Sequence, residues 1–189
     1  MDRTSPIWKS SAANTGQTRG QADSCGLLPS RLRRRSLSDS MSLVHGTCIA
    51  IDTNGVLLRG VPGSGKSDLA LRLLGLSHLG AKLVADDQVQ LTRRGDELWA
   101  QAPAKIAGLL EVRGVGIMRL AALEAVRLRL VLDLCASSAR DKVPRLPEAG
   151  RCTIDGIGLL LYPCSPFEAS APDKVALLLR SLDEDILRP

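Results

Sequence analysis

Gly60-Val61-Pro62-Gly63-Ser64-Gly65-Lys66-Ser67 fits the pattern G-x-x-x-x-G-K-[ST], a loop that cradles phosphates. Its glycines let backbone N–H groups turn inward, and the helix that follows adds the positive end of its dipole. Lys66 neutralises terminal phosphate charge, and the Ser67 hydroxyl is a magnesium ligand. Such a loop does not by itself separate an enzyme from a switch. Asp86-Asp87, twenty residues beyond Lys66, supply what a switch would not need. Adjacent carboxylates on an extended segment point to opposite sides, so one can serve a metal shell while the other takes a proton from an attacking hydroxyl. Without the loop, Asp-Asp would read as a solvated turn. Glu111-Val112-Arg113-Gly114-Val115-Gly116 adds a carboxylate and a guanidinium two residues apart, followed by glycines that permit close backbone approach. Taken alone that pair reads as a surface ion pair, and His45 alone as a hydrogen-bonded residue inside a strand.

The elements around these residues predict how they are positioned. Leu43 to Ile51 reads as one apolar strand, and Asn54-Gly55 marks a tight turn into a second strand, Val56 to Arg59. After the glycine-rich loop, Leu69, Ala70, Leu73 and Leu76 fall on one helical stripe within Asp68 to Leu76, and Gly80 ends that helix. Lys82 to Ala85 then returns as a parallel strand beside Val56 to Arg59, completing a βαβ unit whose carboxyl ends bring Asp86 to the phosphate loop. Further on, Arg94-Gly95-Asp96 joins a hairpin of Gln88 to Thr92 and Leu98 to Gln101. Leu109 to Val112 is a short strand, and Leu128, Leu130, Leu132 and Leu134 alternate as in a strand with one buried face. Cys135 to Arg151 reads as a polar loop, Asp155-Gly156 as the turn of a last hairpin, and Pro172 to Leu182 as a closing helix.

With 189 residues, 44% of them hydrophobic and 24% charged, the chain has the balance of one globular domain. The four aromatics, Trp8, Trp99, Tyr162 and Phe167, make base stacking on an aromatic platform an unexpected function, and no nucleic-acid partner is anticipated. Most of the formal charge of +5 sits in residues 1–42, where seven basic residues face three acidic ones. That Ser- and Arg-rich segment lacks any apolar period and is expected to be a disordered tail, with Met41 as an alternative start, ahead of a catalytic domain over residues 43–189. No apolar run is long enough to span a bilayer, so a soluble, cytoplasmic protein is expected. The five cysteines show no zinc-ligand spacing and are read as reduced fillers.

Together, His45-Gly46, the run GVPGSGKSD over residues 60–68, Leu83-Val84-Ala85-Asp86-Asp87 and above all Glu111-Val112-Arg113-Gly114-Val115-Gly116 resemble the catalytic domain of bacterial HPr kinase/phosphorylase, from about residue 43 to 182. The resemblance is to a short form that lacks the N-terminal domain of the long one. It implies an α/β, P-loop-containing fold of the HPr kinase C-terminal (PEP carboxykinase-like) type, with a parallel βαβ nucleus and added antiparallel strands. It also implies an ATP- and Mg2+-dependent protein-serine kinase acting on HPr, the phosphocarrier of the sugar phosphotransferase system, and a hexameric assembly. By the same resemblance Asp86 takes the proton from the target serine. Lys66 and His45 stabilise charge on the transferred group, Ser67 and Glu111 serve the metal, and Asp87 joins the metal shell. A family arginine matches Arg145, with Arg140 as rival.

Departures from the family pattern carry their own expectations. The long form has an arginine- and asparagine-containing loop tied to phosphate attack on phosphoserine. Pro163-Cys164-Ser165-Pro166-Phe167-Glu168-Ala169-Ser170 stands in its place with neither residue. Reverse phosphorylase activity is therefore expected to be weaker than kinase activity. Two other functions fit the loop: a small-molecule kinase with Cys135 to Arg151 as a lid, and a nucleotide-binding regulator without catalysis.

Overall fold

The structure, a computed structural model, describes residues 41–135, 143 and 147–183. The tail over residues 1–42 thus falls outside the described residues except for Met41 and Ser42, which already belong to the first strand, and so do Cys25, Arg140 and Arg145.

The apolar run expected as one strand is two: β1, Met41–His45, and β2, Thr47–Ile51, separated at Gly46. β2 forms a hairpin with β3, Asn54–Arg59, but the turn lies at Asp52-Thr53, and Asn54-Gly55 pair within the ladder. Asp52 adopts φ 53°, a conformation its short polar side chain tolerates. The phosphate loop leads into α1, Lys66–Gly75, and a single 3-10 turn, Ser77–Leu79, connects it to β4, Lys82–Ala85. The expected adjacency of β4 and β3 is incorrect. β2 lies between them, antiparallel to both, so β4 runs parallel to β3 at one strand's remove. A hairpin of two apolar strands has claimed the position that the shortest βαβ crossover would fill.

The parallel nucleus lies on the other side of β3. β9, Ala125–Leu134, pairs in parallel with β3 and with β11, Ile157–Cys164. β5, Gln88–Arg94, and β6, Glu97–Gln101, form the expected hairpin, and β10, Gly150–Ile154, turns through Asp155-Gly156 into β11. β7, Leu109–Val112, and β8, Gly116–Arg119, form a separate two-stranded ribbon. The helix α2, Ala171–Arg180, follows β11.

Sheet order is β1-β5-β6-β9-β3-β2-β4. Strands consecutive in the chain, β1 with β2 and β4 with β5, are therefore distant in this order, and the chain crosses from one end of the sheet to the other at Gly46 and at Asp86-Asp87. The sheet curls so that these ends meet, and the Gly46 N–H donates to the Asp87 carbonyl at 3.1 Å across the seam. Cys48, Ala50, Leu57, Leu91, Leu98 and Val131 fill the inside of the curl. Ile49, Ile51, Val56 and Leu58 face the opposite way, against Leu69 and Leu73 of α1 and Val175 and Leu179 of α2. This two-sided burial is why Cys48 to Ile51 of β2 and Val56 to Leu58 of β3 are continuously apolar and do not alternate. In β9 the register slips by one residue opposite Gly55 and Val56, so Val126 and Leu128 point into the curl while Leu130, Leu132 and Leu134 point to the helices.

Candidate active site

β3 ends at Arg59, whose guanidinium forms two hydrogen bonds with Asp133, 2.8 and 3.0 Å, on the neighbouring β9. Desolvation opposes and the carboxylate outweighs it, so the Arg59 pKa is raised above its ordinary value by the Asp133 bond. This clamp fixes where the chain leaves the sheet. The phosphate loop begins at the next residue, with Gly63 and Gly65 at φ 79° and 92°, the left-handed region that a side chain would disfavour. Lys66, only 8% exposed, folds its ammonium over the loop and donates to the carbonyls of Gly60 at 2.9 Å and Val61 at 3.2 Å.

The two aspartates differ sharply. Asp86 is buried and accepts from the Thr47 hydroxyl at 2.6 Å, the Ser67 hydroxyl at 3.2 Å and the Glu111 backbone N–H at 3.2 Å. Its carboxylate thus ties β2, the first turn of α1 and β7 together. Asp87 is 71% exposed and sits at φ 67°, with the Gln88 N–H donating to the Asp86 carbonyl at 2.8 Å around it. Such a three-residue turn with positive φ at a non-glycine residue is strained. It rotates the second carboxylate away from the first and into the cleft, where Oδ1 lies 3.2 Å from Nδ1 of His45.

One cleft of about 700 Å3 is lined among others by His45, Lys66, Ser67, Asp86, Asp87 and Glu111. Val112 and Arg113 reach it from β7 and the following turn. His45, Lys66, Ser67, Asp86, Asp87, Glu111 and Arg113, singled out in the sequence for chemistry, thus meet at this cleft with Pro62, Gly63 and Gly65 of the loop, while Gly60, Val61 and Ser64 do not line it and the arginine match, Arg145 or Arg140, lies outside the described residues. Two contributors escaped the sequence reading. Thr47 is a fully buried hydroxyl in an otherwise apolar strand, and that mismatch was its only signal. Phe167, the chain's single phenylalanine, lines the cleft beside the phosphate loop.

For a divalent ion, the lining offers oxygen donors near Ser67: its hydroxyl, the Asp86 carboxylate bonded to it, and Glu111, whose backbone N–H also bonds Asp86. No cluster of three or more His, Cys, Asp or Glu side chains suited to a metal occurs among the described residues. One or two carboxylates with a hydroxyl and substrate phosphates are what a magnesium site uses, so the residues present fit that ion.

Residues 35–152 match the family model of the HPr Serine kinase C-terminal domain. The chain belongs to that family. HPr kinase/phosphorylase of Bordetella pertussis is 38% identical to this family member over 112 residues, 55% of this chain and 35% of that protein. The Exiguobacterium HPr kinase/phosphorylase is 44% identical over 79 residues, 41% and 24% of the two chains. The chain thus spans about a third of the length of the first of these relatives. The solved Hpr(Ser) kinase/phosphatase from Coxiella burnetii superposes with a TM-score of 0.62 at 25% identity, over 74% of this chain and 89% of that one. The fold class expected from the sequence, α/β with a phosphate loop and a parallel nucleus, is the fold of this family. Among the described residues no helix is long and apolar enough to cross a membrane.

Proposed function

We propose that this chain is an ATP-dependent kinase for a serine of the phosphocarrier HPr, acting in the cytoplasm to regulate carbohydrate uptake. The observation that carries the reading is the hydrogen bond from Ser67 of the phosphate loop to Asp86, with Asp87 and His45 held beside it in one cleft. The names of the relatives, kinase/phosphorylase and kinase/phosphatase, supply the acceptor protein.

The aspartate roles in this proposal exchange relative to the sequence expectation. Asp86, with its oxygens engaged by Thr47, Ser67 and Glu111, is suited to hold the metal side of the site through Ser67. Asp87 is exposed to the cleft, anchored by His45, and free to meet an acceptor hydroxyl. As the serine oxygen attacks the γ-phosphorus, Asp87 takes its proton, the bond from the γ-phosphorus to the bridging oxygen breaks, and ADP leaves with the electron pair. Lys66 offsets the charge that develops on the transferred group and the leaving phosphate. Magnesium, held by Ser67 with Asp86 and Glu111, would neutralise phosphate charge when bound.

Incubating the protein with ATP, magnesium and HPr should label HPr and leave a serine-less HPr unlabelled. Labelling of a small metabolite and not HPr would establish a small-molecule kinase, and nucleotide binding without transfer would establish a regulator. Dephosphorylation of phospho-HPr by inorganic phosphate should be slower than the forward reaction, because Arg72, a guanidinium that reaches the 163–170 segment, is engaged with the carbonyls of Pro166 and Glu168. Comparable rates would remove that part of the proposal. Self-association belongs to the same reading, and sedimentation measures it.

A further inference from the structure

The cleft lining is of two chemical kinds. His45, Asp86, Asp87, Glu111 and Arg113 are its polar part, gathered at the Asp86 carboxylate and the His45–Asp87 pair, and Pro62, Leu71 and Phe167 are its apolar part, on the phosphate loop, α1 and the turn bonded to α1. Leu71 is 42% and Phe167 51% exposed, a large apolar area to leave in water beside a phosphate loop. Phe167 is not loosely placed. A Cβ added to Gly65 would come within 2.8 Å of its Cζ and 3.1 Å of its Cε1, so the ring touches the loop backbone through one edge. With half of the residue exposed, ring surface remains accessible from the cleft. The turn that carries it is fastened to α1, because Arg72 donates to the carbonyls on either side of Phe167, those of Pro166 and Glu168. Glu168 is further paired with Lys174 of α2.

The polar part fixes which end of a bound triphosphate is the reacting end, since Ser67, Asp86 and Asp87 gather there. The nucleoside must then leave on the opposite side, over the first turn of α1 and toward Leu71. From this we infer that Phe167 is the platform on which the nucleotide base stacks, with Leu71 as its apolar neighbour. A π face and a methyl-rich side chain recognise a flat heterocycle by contact and desolvation, and they leave its hydrogen-bonding edge unread. The chain is poor in aromatics, yet a single ring at this position suffices for one base. The inference rests on the proposal that the phosphate loop binds a nucleoside triphosphate.

The test compares Mg-ATP with magnesium tripolyphosphate, which has the phosphates and no base, by calorimetry on the full chain. Phe167→Ala should weaken ATP binding about tenfold or more and leave tripolyphosphate binding within about twofold. Phe167→Tyr, which keeps the ring face, should restore ATP affinity. Unchanged ATP affinity in Phe167→Ala overturns the inference, as does equal weakening of both ligands, which would make Phe167 a prop for the loop. Phe167→Leu, which keeps an apolar contact with Gly65, serves if the alanine variant is poorly folded. It should lose ATP affinity selectively, and parity with wild type counts against stacking. Should the wild type bind neither ligand, the nucleotide reading itself fails and this inference with it. Binding of both by the wild type confines any failure to Phe167.

Discussion

Ser67 and Asp86 are hydrogen-bonded at 3.2 Å, although one opens the helix after β3 and the other ends β4 on the far side of β2. The bond spans the crevice between two strands that do not touch, and the fully buried Thr47 on the intervening strand completes it at 2.6 Å. Replacing Thr47 by Val keeps the shape and removes the donor. The loss should cost about 1–3 kcal/mol, the usual penalty for leaving a buried acceptor short of a partner. Thr47→Ser should recover most of it. Urea titration measures the stability, and Mg-ATP affinity should fall in parallel.

Exchanging the two aspartates separately distinguishes their tasks. Asp87→Asn should lower turnover by roughly 100-fold or more while ATP affinity changes little, because a general base acts on the transition state. Asp86→Asn places an NH2 group either against the Glu111 N–H or against the Thr47 and Ser67 hydroxyls and removes the charge, so it should lower stability and weaken the magnesium dependence of nucleotide binding. Single-turnover rates with titrated magnesium read both effects. Near-normal turnover in Asp87→Asn would return the base to Asp86.

Gly46 offers a test of the seam. A Cβ there would meet the Leu58 carbonyl oxygen at 2.8 Å and Leu57 Cδ1 at 3.0 Å. Backbone cannot yield as a flexible side chain can, so Gly46→Ala should destabilise by about 1–3 kcal/mol. It should also shift His45 relative to Asp87, since the Gly46 amide bonds the Asp87 carbonyl. A turnover loss larger than the stability loss explains, measured well below the melting temperature, is the expected signature.

Complete burial pushes the Cys48 thiol up to about 12 from 9.0. With the folded pKa above the unfolded one, the folded state holds its proton more tightly. The stability this contributes is full below pH 9 and is lost as pH rises toward 12. Alkaline titration of the unfolding free energy should therefore slope downward from about pH 9, by up to about 1.4 kcal/mol per pH unit for this one proton. Cys48→Ala should flatten that slope. Native Cys48 should also resist alkylation that labels it in urea, as should Cys164 to a lesser degree, since burial lifts its thiol to about 11.

Local chemistry was legible in the sequence, and strand order was not. The phosphate loop and α1 follow from contiguous residues, so spacing and apolar period located them. Leu43 to Ile51 carries His45-Gly46-Thr47 at its break, but a glycine inside a strand pattern marks a bulge as readily as a crossing, and only long-range pairing sends β1 to β5 and β2 to β3 and β4. The same blindness put β4 next to β3. Asp86 and Asp87 were recognised as a pair pointing apart, but which one is buried depends on Thr47 and on a positive φ at Asp87, neither of which a one-dimensional pattern contains. In β9 the register slip at Gly55 and Val56 reverses the inward face partway along a run of leucines whose spacing never changes.

The meeting of the sheet's two ends has a consequence for when this protein can act. His45 and Asp87 lie where the two chain crossings run side by side, joined by the Gly46 amide and flanked by ladder pairs, His45 with Gln88 on one side and Cys48 with Ala85 on the other. A motion that parts these strands separates the proton-accepting pair and at the same time uncovers Cys48, Ala85 and Val89 of the interior. Competence is thus tied to this paired stretch staying closed, and amide exchange at Gly46 reports its opening directly.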